Sequence, residues 1–404
     1  MQYPTRFSDL PEYAFPRLRA LLDPHAGGGE SLHMSIGEPK HKFPAFVPEM
    51  LAEHAEGFNK YPPNDGSPEL RGAIADWLAR RFGISRPDSD RNILSLNGTR
   101  EGLFNAALAL CPETKNGKQP VVLLPNPFYQ CYAVAALAAG AEPVFVPAPE
   151  DNGFLPDFAA VPRDLLERTA IVYMCSPSNP QGAVADDAYW QALLALGEKH
   201  DFRVFADECY SEIYRDTPPD GALKASENMG SDPERLTVFH SLSKRSNLPG
   251  FRSGFAAGGA KSIAEMKQLR NYTGAPVPLP IQQVSAAVWA DEVHVAENRR
   301  LYKRKFDISD RILGELPGYT SPTAGFFLWL KVGDGEAAAL KLWRETGVRA
   351  LPGEYLSRDT DARLGGGNPG KAYLRVALVA DEGDVERGLN AIRACLGREL
   401  GGDI

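Results

Sequence analysis

The chain has 404 residues, enough for two or three domains with sizeable cores. Its 44 Lys and Arg against 52 Asp and Glu leave a formal net charge of −8, and no Lys/Arg block occurs, which disfavours nucleic-acid binding. The sequence shows no secretory signal, no apolar run long enough for a membrane helix, and no C-x-x-C pair among its five cysteines. We therefore expect a cytoplasmic protein that binds neither nucleic acid nor membranes.

The first predicted elements are an arm and a helix. Residues 1–40 are rich in Pro and Gly, which predicts an N-terminal arm. A helix is predicted from Ser67 to Phe82, because Ser67 suits an N-cap, Pro68 suits the first helical position and Gly83 suits the stop.

Short apolar runs then alternate with helical stretches. The runs cover residues 92–96, 121–125, 143–147, 170–175, 203–208, 236–241 and 253–258, with helical periodicity at 101–110, 129–139 and 187–200. This alternation is typical of βαβ units and predicts a mainly parallel sheet between helices, in a large domain of residues 41–280. A ligand site is expected at the carboxyl ends of the strands.

The pattern changes at about residue 281. A long helical stretch covers 285–313, and apolar runs at 326–332 and 373–379 flank a further helix at about 336–346. This α+β pattern predicts a second, smaller domain over residues 281–404. The arm of residues 1–40 is expected to be part of it.

A lysine follows one apolar run in the sequence SLSKRSNLPGFRSG, residues 241–254. Lys244 in this Ser-rich loop is a candidate nucleophile for a Schiff base. Ser241, Ser243 and Arg252 are suited to holding one phosphate group. The alternative interpretation is a surface loop with an ordinary lysine.

Two polar residues follow neighbouring apolar runs. Asp207 ends the run in VFADECYSEIY, with Tyr210 three positions further on. A carboxylate there can be a structural cap, but beside a pyridine ring it keeps the ring nitrogen protonated so that the ring accepts electrons. Asn179 lies in the turn CSPSNPQG, residues 175–182; a plain turn explains the proline and glycine but leaves Asn179 without a role.

A glycine marks another strand-to-helix junction. Gly98 and Thr99 lie in NGTREGL, residues 97–103, where backbone N–H groups at a helix start can bind phosphate. The segment matches neither G-x-G-x-x-G nor G-x-x-x-x-G-K-[ST], which disfavours nucleotide binding.

The order N-P-x-G, D-x-x-Y and S-x-S-K with an arginine eight positions on resembles the class I/II aminotransferases of PLP fold type I, which use pyridoxal 5'-phosphate (PLP). The resemblance covers essentially the whole chain and includes IGEP, YPPNDGSPELRGAI, PNPFYQCY and YLRVALV. It implies an α/β fold whose large domain has a mainly parallel seven-stranded sheet between helices, plus a smaller α+β domain. It also implies a homodimer, because this family builds each site from two subunits.

The resemblance assigns roles by matching position. Lys244 would carry PLP as a Schiff base and move the proton at the substrate Cα, while Asp207 would pair with the pyridinium nitrogen. The implied cofactor-binding set is Gly98, Thr99, Arg100, Tyr129, Asn179, Asp207, Tyr210, Ser241, Ser243, Lys244, Arg252 and, reaching the neighbouring subunit, Tyr61. The implied substrate-binding set is Gly37, Asn179 and Arg375, with Arg375 gripping the α-carboxylate.

Several strings, among them IGEPKH, SLSKRSNLPG and LPGEYLSRDT, are similar to the bacterial succinyldiaminopimelate aminotransferases of lysine biosynthesis. This similarity implies transfer of an amino group between N-succinyl-LL-2,6-diaminopimelate and 2-oxoglutarate. Acetylornithine, aspartate or alanine as substrate stays open, as does a C–S β-lyase on the same fold. Arg17, Arg100, Tyr272 and Arg349 are all candidates for recognising the distal group of the substrate. A PLP-sensing transcription regulator is disfavoured, because the motifs begin near residue 36 and leave no room for a helix-turn-helix domain.

Overall fold

The computed structural model describes residues 5–8, 10 and 12–400. Parts of the predicted arm (residues 1–4, 9 and 11) and the end of the predicted small domain (401–404) lie outside the described residues. No helix within the described part of the chain is both long and apolar enough to cross a bilayer.

The strands form one large and two small sheets. In chain order they are β1 Leu32–His33, β2 Ile93–Leu96, β3 Val121–Asn126, β4 Glu142–Pro147, β5 Thr169–Cys175, β6 Arg203–Asp207, β7 Leu236–Ser241, β8 Gly254–Gly258, β9 Phe327–Lys331, β10 Val348–Arg349, β11 Leu351–Pro352 and β12 Tyr373–Ala377. The large sheet has the order β2-β8-β7-β6-β5-β3-β4. Only β8 runs antiparallel to its neighbours, so the predicted mainly parallel, seven-stranded sheet is confirmed.

Helices cover both faces of the large sheet and pack on the small ones. They are α1 Ala14–Leu22, α2 Val47–Glu53, α3 Pro68–Phe82, α4 Thr99–Leu110, α5 Gln130–Ala138, α6 Arg163–Leu166, α7 Asp187–His200, α8 Ala222–Met229, α9 Leu242–Arg245, α10 Ala260–Thr273, α11 Leu279–Ala290, α12 Val293–Leu313, α13 Gly335–Thr346 and α14 Glu382–Leu396.

The central strands are apolar at every position because each face packs against helices. In β3, Val121 and Leu123 pack into the core that includes α3, α7 and α11, whereas Val122 and Leu124 pack into the core that includes α4 and α5. Alternate side chains of each strand thus pack into different cores on the two faces of the sheet. Every position is therefore apolar, and the strands appear in the sequence as continuous apolar runs.

A second core lies against the smaller sheets. The three-stranded antiparallel sheet has the order β11-β12-β9, and β1 pairs with β10 in parallel. Met34 from the beginning of the chain packs there with Leu328, Val376 and Leu389. This composition supports our proposal that residues 1–40 join the C-terminal part of the chain in a small domain. The proposed boundary between 41–280 and 281–404 is misplaced for α11, because Val284, Val288 and Trp289 pack in the core of the large sheet.

The predicted helical stretch 285–313 is divided in the structure. α11 ends at Ala290 and α12 begins at Val293. The Asp291 side chain accepts a hydrogen bond from the backbone N–H of His294 at 3.1 Å, which satisfies a donor at the start of α12. A polar residue that caps a new helix therefore interrupts a continuous apolar periodicity.

The predicted boundaries of α3 are confirmed. Ser67 Oγ accepts a hydrogen bond from the N–H of Leu70 at 3.2 Å, Pro68 is the first helical residue, and Gly83 ends the helix with φ of +65°. The helix buries Trp77 and Ile74 against the large sheet. The residues at its two ends thus determine the bounds of α3, and its apolar side chains cover one face of the large sheet.

We predict that Ser67→Ala lowers the free energy of unfolding by about 1 kcal/mol, because the N–H of Leu70 loses its side-chain acceptor. Denaturant unfolding of the variant would measure the loss. Ser67→Asp is the matched control and should remain close to wild type, since aspartate caps helices as well as serine does. Equal destabilisation by both substitutions would contradict the capping role.

Candidate active site

The predicted site residues converge on one cavity beside the carboxyl ends of β5, β6 and β7. Its volume is about 440 Å³, which lies in the range of small-molecule sites. All but two of the predicted residues line it, namely Gly37, Thr99, Arg100, Tyr129, Asn179, Asp207, Tyr210, Ser241, Ser243, Lys244, Arg252 and Arg375. Of the remaining two, Gly98 lies against Arg252, and Tyr61 is fully exposed outside the cavity.

Lys244 lies in α9, immediately after β7. Its Nζ donates to the carbonyl of Gly37 at 2.5 Å and lies 5.3 Å from the ring centre of Phe326. Burial lowers the pKa of Lys244 to about 8, and the nearby cations Arg375 and Arg252 act in the same direction. The neutral fraction of this amine near physiological pH is therefore much larger than that of an ordinary exposed lysine, and the neutral form is the one that acts as a nucleophile or base.

Asp207 is a buried carboxylate at the end of β6. One oxygen accepts from Tyr132 Oη at 2.7 Å, and the other accepts from the backbone N–H of Cys209 at 3.3 Å. Burial raises the pKa of Asp207, although both hydrogen bonds oppose that shift. The carboxylate makes no ion pair with any described residue, so a cationic ring nitrogen at this place would compensate its charge.

Arg375 is a buried guanidinium in β12, only 4% exposed. It donates to Asn179 Oδ1 at 2.9 Å and to the carbonyl of Ser35 at 2.7 Å, and its Nε has no partner among the described residues. Burial lowers the pKa of Arg375 to about 10. A buried cation without a carboxylate partner is suited to binding an anionic ligand.

A cradle for a second anion lies at the start of α4. Gly98 has φ of +77°, and a Cβ at this position would collide with the guanidinium of Arg252. Arg252 donates to the carbonyls of Pro249 and Asn97 at 2.9 and 3.0 Å, two neutral acceptors, and it forms no ion pair with any residue that the structure describes. With Thr99 and Ser241 beside it and the helix N-terminus facing it, this corner has the chemistry of a phosphate site.

Tyr129 and Arg100 form the outer wall of the cavity. Tyr129 precedes α5, and its Oη accepts from Arg100 Nε at 2.5 Å. Burial raises the pKa of Tyr129 to about 12, so its hydroxyl keeps its proton. Opposite, Tyr210 is buried edge-on against Phe326.

Sequence reasoning missed two residues in this cavity. Tyr132 is the hydrogen-bond donor to Asp207, and Cys209 places its Sγ 3.0 Å from Thr99 Oγ1. The three-residue spacing between Tyr129 and Tyr132 at a helix start is a signal that could have placed both on one side. No sequence signal indicated Cys209, because it lies at an ordinary apolar position of the motif.

The four candidates for distal-group recognition separate clearly. Arg17 lies within 3.5 Å of Glu336 and of Glu354 in a different crevice, and Arg349 pairs with Asp23 at 2.8 Å. Tyr272 is 88% exposed and does not line the cavity. Among these four residues, Arg100 alone faces the cavity.

We predict that in the cofactor-free protein Lys244 reacts with a limiting acylating reagent at a rate that rises through a midpoint near pH 8, because burial disfavours its charged form. Ordinary exposed lysines, with pKa of about 10.4, serve as internal references in the same mass-spectrometric measurement. Lys244→Ala must remove the labelled peptide. A Lys244 rate that rises only with the exposed lysines would contradict the lowered pKa.

Comparison with known proteins agrees with this geometry. The family model described as aminotransferase class I and II matches residues 30–392. An LL-diaminopimelate aminotransferase of Dehalococcoides mccartyi strain 195 is 31% identical over 96% of this chain and 97% of that protein, and one of Desulforudis audaxviator is 31% identical over 97% of each.

Solved structures give the same result. An aminotransferase from Neisseria meningitidis Z2491 is 40% identical, with a TM-score of 0.92, over 97% of this chain and 99% of that one. The aminotransferase AspB from Helicobacter pylori 26695 is 33% identical, with a TM-score of 0.87, over 98% and 99%. The chain therefore belongs to the class I and II aminotransferases and is a PLP-dependent enzyme of that family.

Proposed function

We propose that the enzyme transfers an amino group between N-succinyl-LL-2,6-diaminopimelate and 2-oxoglutarate, in lysine biosynthesis. The observation that carries this proposal is a single cavity with a reactive lysine, Lys244, and two arginines, Arg375 and Arg100, that have no carboxylate partner among the described residues. Two cations suit a substrate that has a carboxylate beside the reacting amine and another at a distance. LL-diaminopimelate itself is the second candidate, because similar proteins are named for it.

The residues of the cavity fit the cofactor. We assign the phosphate to Arg252, Thr99, Ser241, Ser243 and the Gly98 turn, where the charge of Arg252 lacks a counter-ion. Asp207 would hold the protonated ring nitrogen, with Asn179 and Tyr210 near the ring hydroxyl and Tyr129 against the ring. When bound, PLP supplies an electron-accepting ring for the substrate amine.

Lys244 would hold the cofactor covalently and, once the substrate amine has replaced it, take the proton from the substrate Cα. Its lowered pKa supports this role, because a base must be unprotonated before it can accept a proton. Arg375 would bind the α-carboxylate as a bidentate pair, and Asn179 holds that guanidinium in place at 2.9 Å. The carbonyl of Gly37 accepts from Lys244 Nζ, and Gly37 lines the same cavity as Arg375.

Arg100 would recognise the distal carboxylate of either substrate. Its Nε is engaged by Tyr129, which orients the guanidinium and leaves its terminal N–H groups free of protein acceptors among the described residues. Both arginines line the cavity, but Arg100 is exposed, whereas Arg375 is buried. Two separate cations in one cavity suit a substrate with two carboxylates.

A homodimer with shared sites is part of the proposal. Tyr61 is fully exposed, Tyr272 is 88% exposed and Phe58 is 58% exposed. Asn64 and Asn271 hydrogen bond at 2.8 Å and bring the chain segments of the two tyrosines together. Clustered exposed aromatic side chains are typical of protein interfaces, and Tyr61 would reach the phosphate in a second subunit. A cytoplasmic location, where thiols stay reduced, completes the proposal.

The function is tested by single-turnover spectra with N-succinyl-LL-2,6-diaminopimelate, LL-diaminopimelate, acetylornithine, aspartate and alanine as donors. We expect the succinylated donor to convert the enzyme to the pyridoxamine form fastest, and 2-oxoglutarate to reverse the change. Lys244→Ala, the control, should show no turnover. Faster conversion by LL-diaminopimelate would favour the second candidate, and release of pyruvate and ammonia would indicate a lyase instead.

Arg100→Met tests recognition of the distal carboxylate. We expect kcat/KM for 2-oxoglutarate to fall about 10- to 100-fold, the effect of losing a hydrogen bond to a charged group of about 1.5–3 kcal/mol. Pyruvate, which lacks a second carboxylate, is the matched acceptor and should lose much less. An equal loss with both acceptors would show that Arg100 acts on the cofactor and not on the distal group.

A further inference from the structure

A buried lysine outside the cavity has an unusual set of partners. Lys305 in α12 is 1% exposed, and its Nζ lies 2.7 Å from His41 Nε2 and donates to the carbonyl of Val379 at 3.3 Å. It has no carboxylate partner within ion-pair distance among the described residues, and burial lowers the pKa of Lys305 to about 8, although Glu382 and Asp381 act in the opposite direction. A buried cation is tolerated only where every donor is used, so the contact to His41 requires an explanation.

The chemistry of lysine fixes the state of the histidine. Below its pKa Lys305 is an ammonium with three donors and no acceptor, so Nε2 of His41 accepts and the ring proton lies on Nδ1. Nδ1 then donates to Asn298 Oδ1 at 2.8 Å, while the ring packs on Tyr302 with centres 4.6 Å apart. Burial and Lys305 lower the pKa of His41, which keeps the ring neutral.

Hydrogen bonds of the Asn298 side chain connect His41 to the backbone of Lys244. Its Oδ1 accepts from His41 and also from Asn247 Nδ2 at 3.1 Å. Its Nδ2 donates to the carbonyl of Lys244 at 3.4 Å and to that of Arg245 at 3.5 Å. The amide cannot be flipped, since the reversed group would place two donors against the His41 Nδ1–H and Asn247.

The same short segment also contacts the side chain of Lys244. The carbonyl of Gly37 accepts from Lys244 Nζ, and His41 follows four positions later. Asn247 Nδ2 additionally donates to the carbonyl of Lys42 at 3.2 Å. Residues 37–42, which we name the strap, are therefore attached to Lys244 at its amine through Gly37 and at its peptide through Asn298.

We propose that His41 and Asn298 are positioning residues that fix the backbone of Lys244 relative to the strap, with Lys305 holding His41 in the tautomer this requires. The inference rests on the proposed role of Lys244 in proton transfer, and it names the residues that hold Lys244 in position for that step. Neither positioning residue lines the cavity. Their effect therefore reaches the reaction through Lys244, and it should change kcat while substrate affinity stays the same.

Steady-state kinetics of the PLP-loaded enzyme separate an effect on kcat from an effect on substrate affinity. We expect His41→Ala to lower kcat about 10- to 100-fold, the size of effect that a small misplacement of a reacting group produces, with KM within about twofold of wild type. His41→Asn should recover most of kcat, because its Nδ2 can still donate to Asn298. Asn298→Asp keeps the acceptor but faces two carbonyls with an oxygen, so kcat should fall as in His41→Ala.

Hydrogen exchange of the strap provides a readout that does not depend on activity. In His41→Ala the amides of residues 37–42 should exchange faster than in wild type, with PLP content and melting temperature of the holoenzyme unchanged. His25→Ala, at an exposed histidine, is the matched control and should change neither measurement.

Several outcomes would overturn the proposal. These are an unchanged kcat and exchange rate in His41→Ala, failure of His41→Asn to recover, or a loss of kcat that only follows a loss of bound PLP. An inactive wild-type enzyme with the expected acceleration of strap exchange would instead refute the proposed function and leave the attachment of the strap to Lys244 intact.

Discussion

Burial of charges without matching counter-ions is the constraint on which the cavity depends. Asp207 and Arg375 are buried and Lys244 is partly buried, and none of the three forms an ion pair within the described chain. Each such group costs free energy in the folded protein unless a ligand compensates it. The fold tolerates this because two independent cores support the cavity walls, one below the large sheet and one around the antiparallel sheet of β9, β11 and β12.

The parallel register of the sheet determines where these charges meet. Cys175 pairs with Asp207, and Asp207 pairs with Phe239, so β5 and β6 end at the same level and β7 ends two residues beyond it. Residues that follow them in the chain therefore lie side by side, although they are far apart in sequence. Arg375 arrives from the opposite side on β12, and its hydrogen bond to Asn179 joins the two halves of the site. The substrate would lie at this junction.

The sequence predicted features that depend on local chemistry. The cap at Ser67, the stop at Gly83 and the apolar runs of β3 to β7 need only neighbouring residues to be recognised. The cluster around Lys244 was also predicted, because its members occur in short motifs. The bond of Tyr132 to Asp207 and the pair of His41 and Lys305 span 75 and 264 positions. Such contacts depend on how helices and sheets pack against each other in three dimensions. The periodicity and spacing of residues in one sequence do not predict this packing.

The reversed direction of β8 has a consequence for how the protein can change over time. Because β8 runs antiparallel to β7, the connection that carries Lys244 and Arg252 begins and finishes at the same end of the strands, the carboxyl end of β7. An insertion there would separate the amine from the phosphate cradle, so this connection has a fixed length. The turn at residues 114–118 precedes β3 and lies at the amino end of the parallel strands, where added residues would project into solvent. Natural length variation and engineered fusions should therefore be better tolerated at that end of the strands.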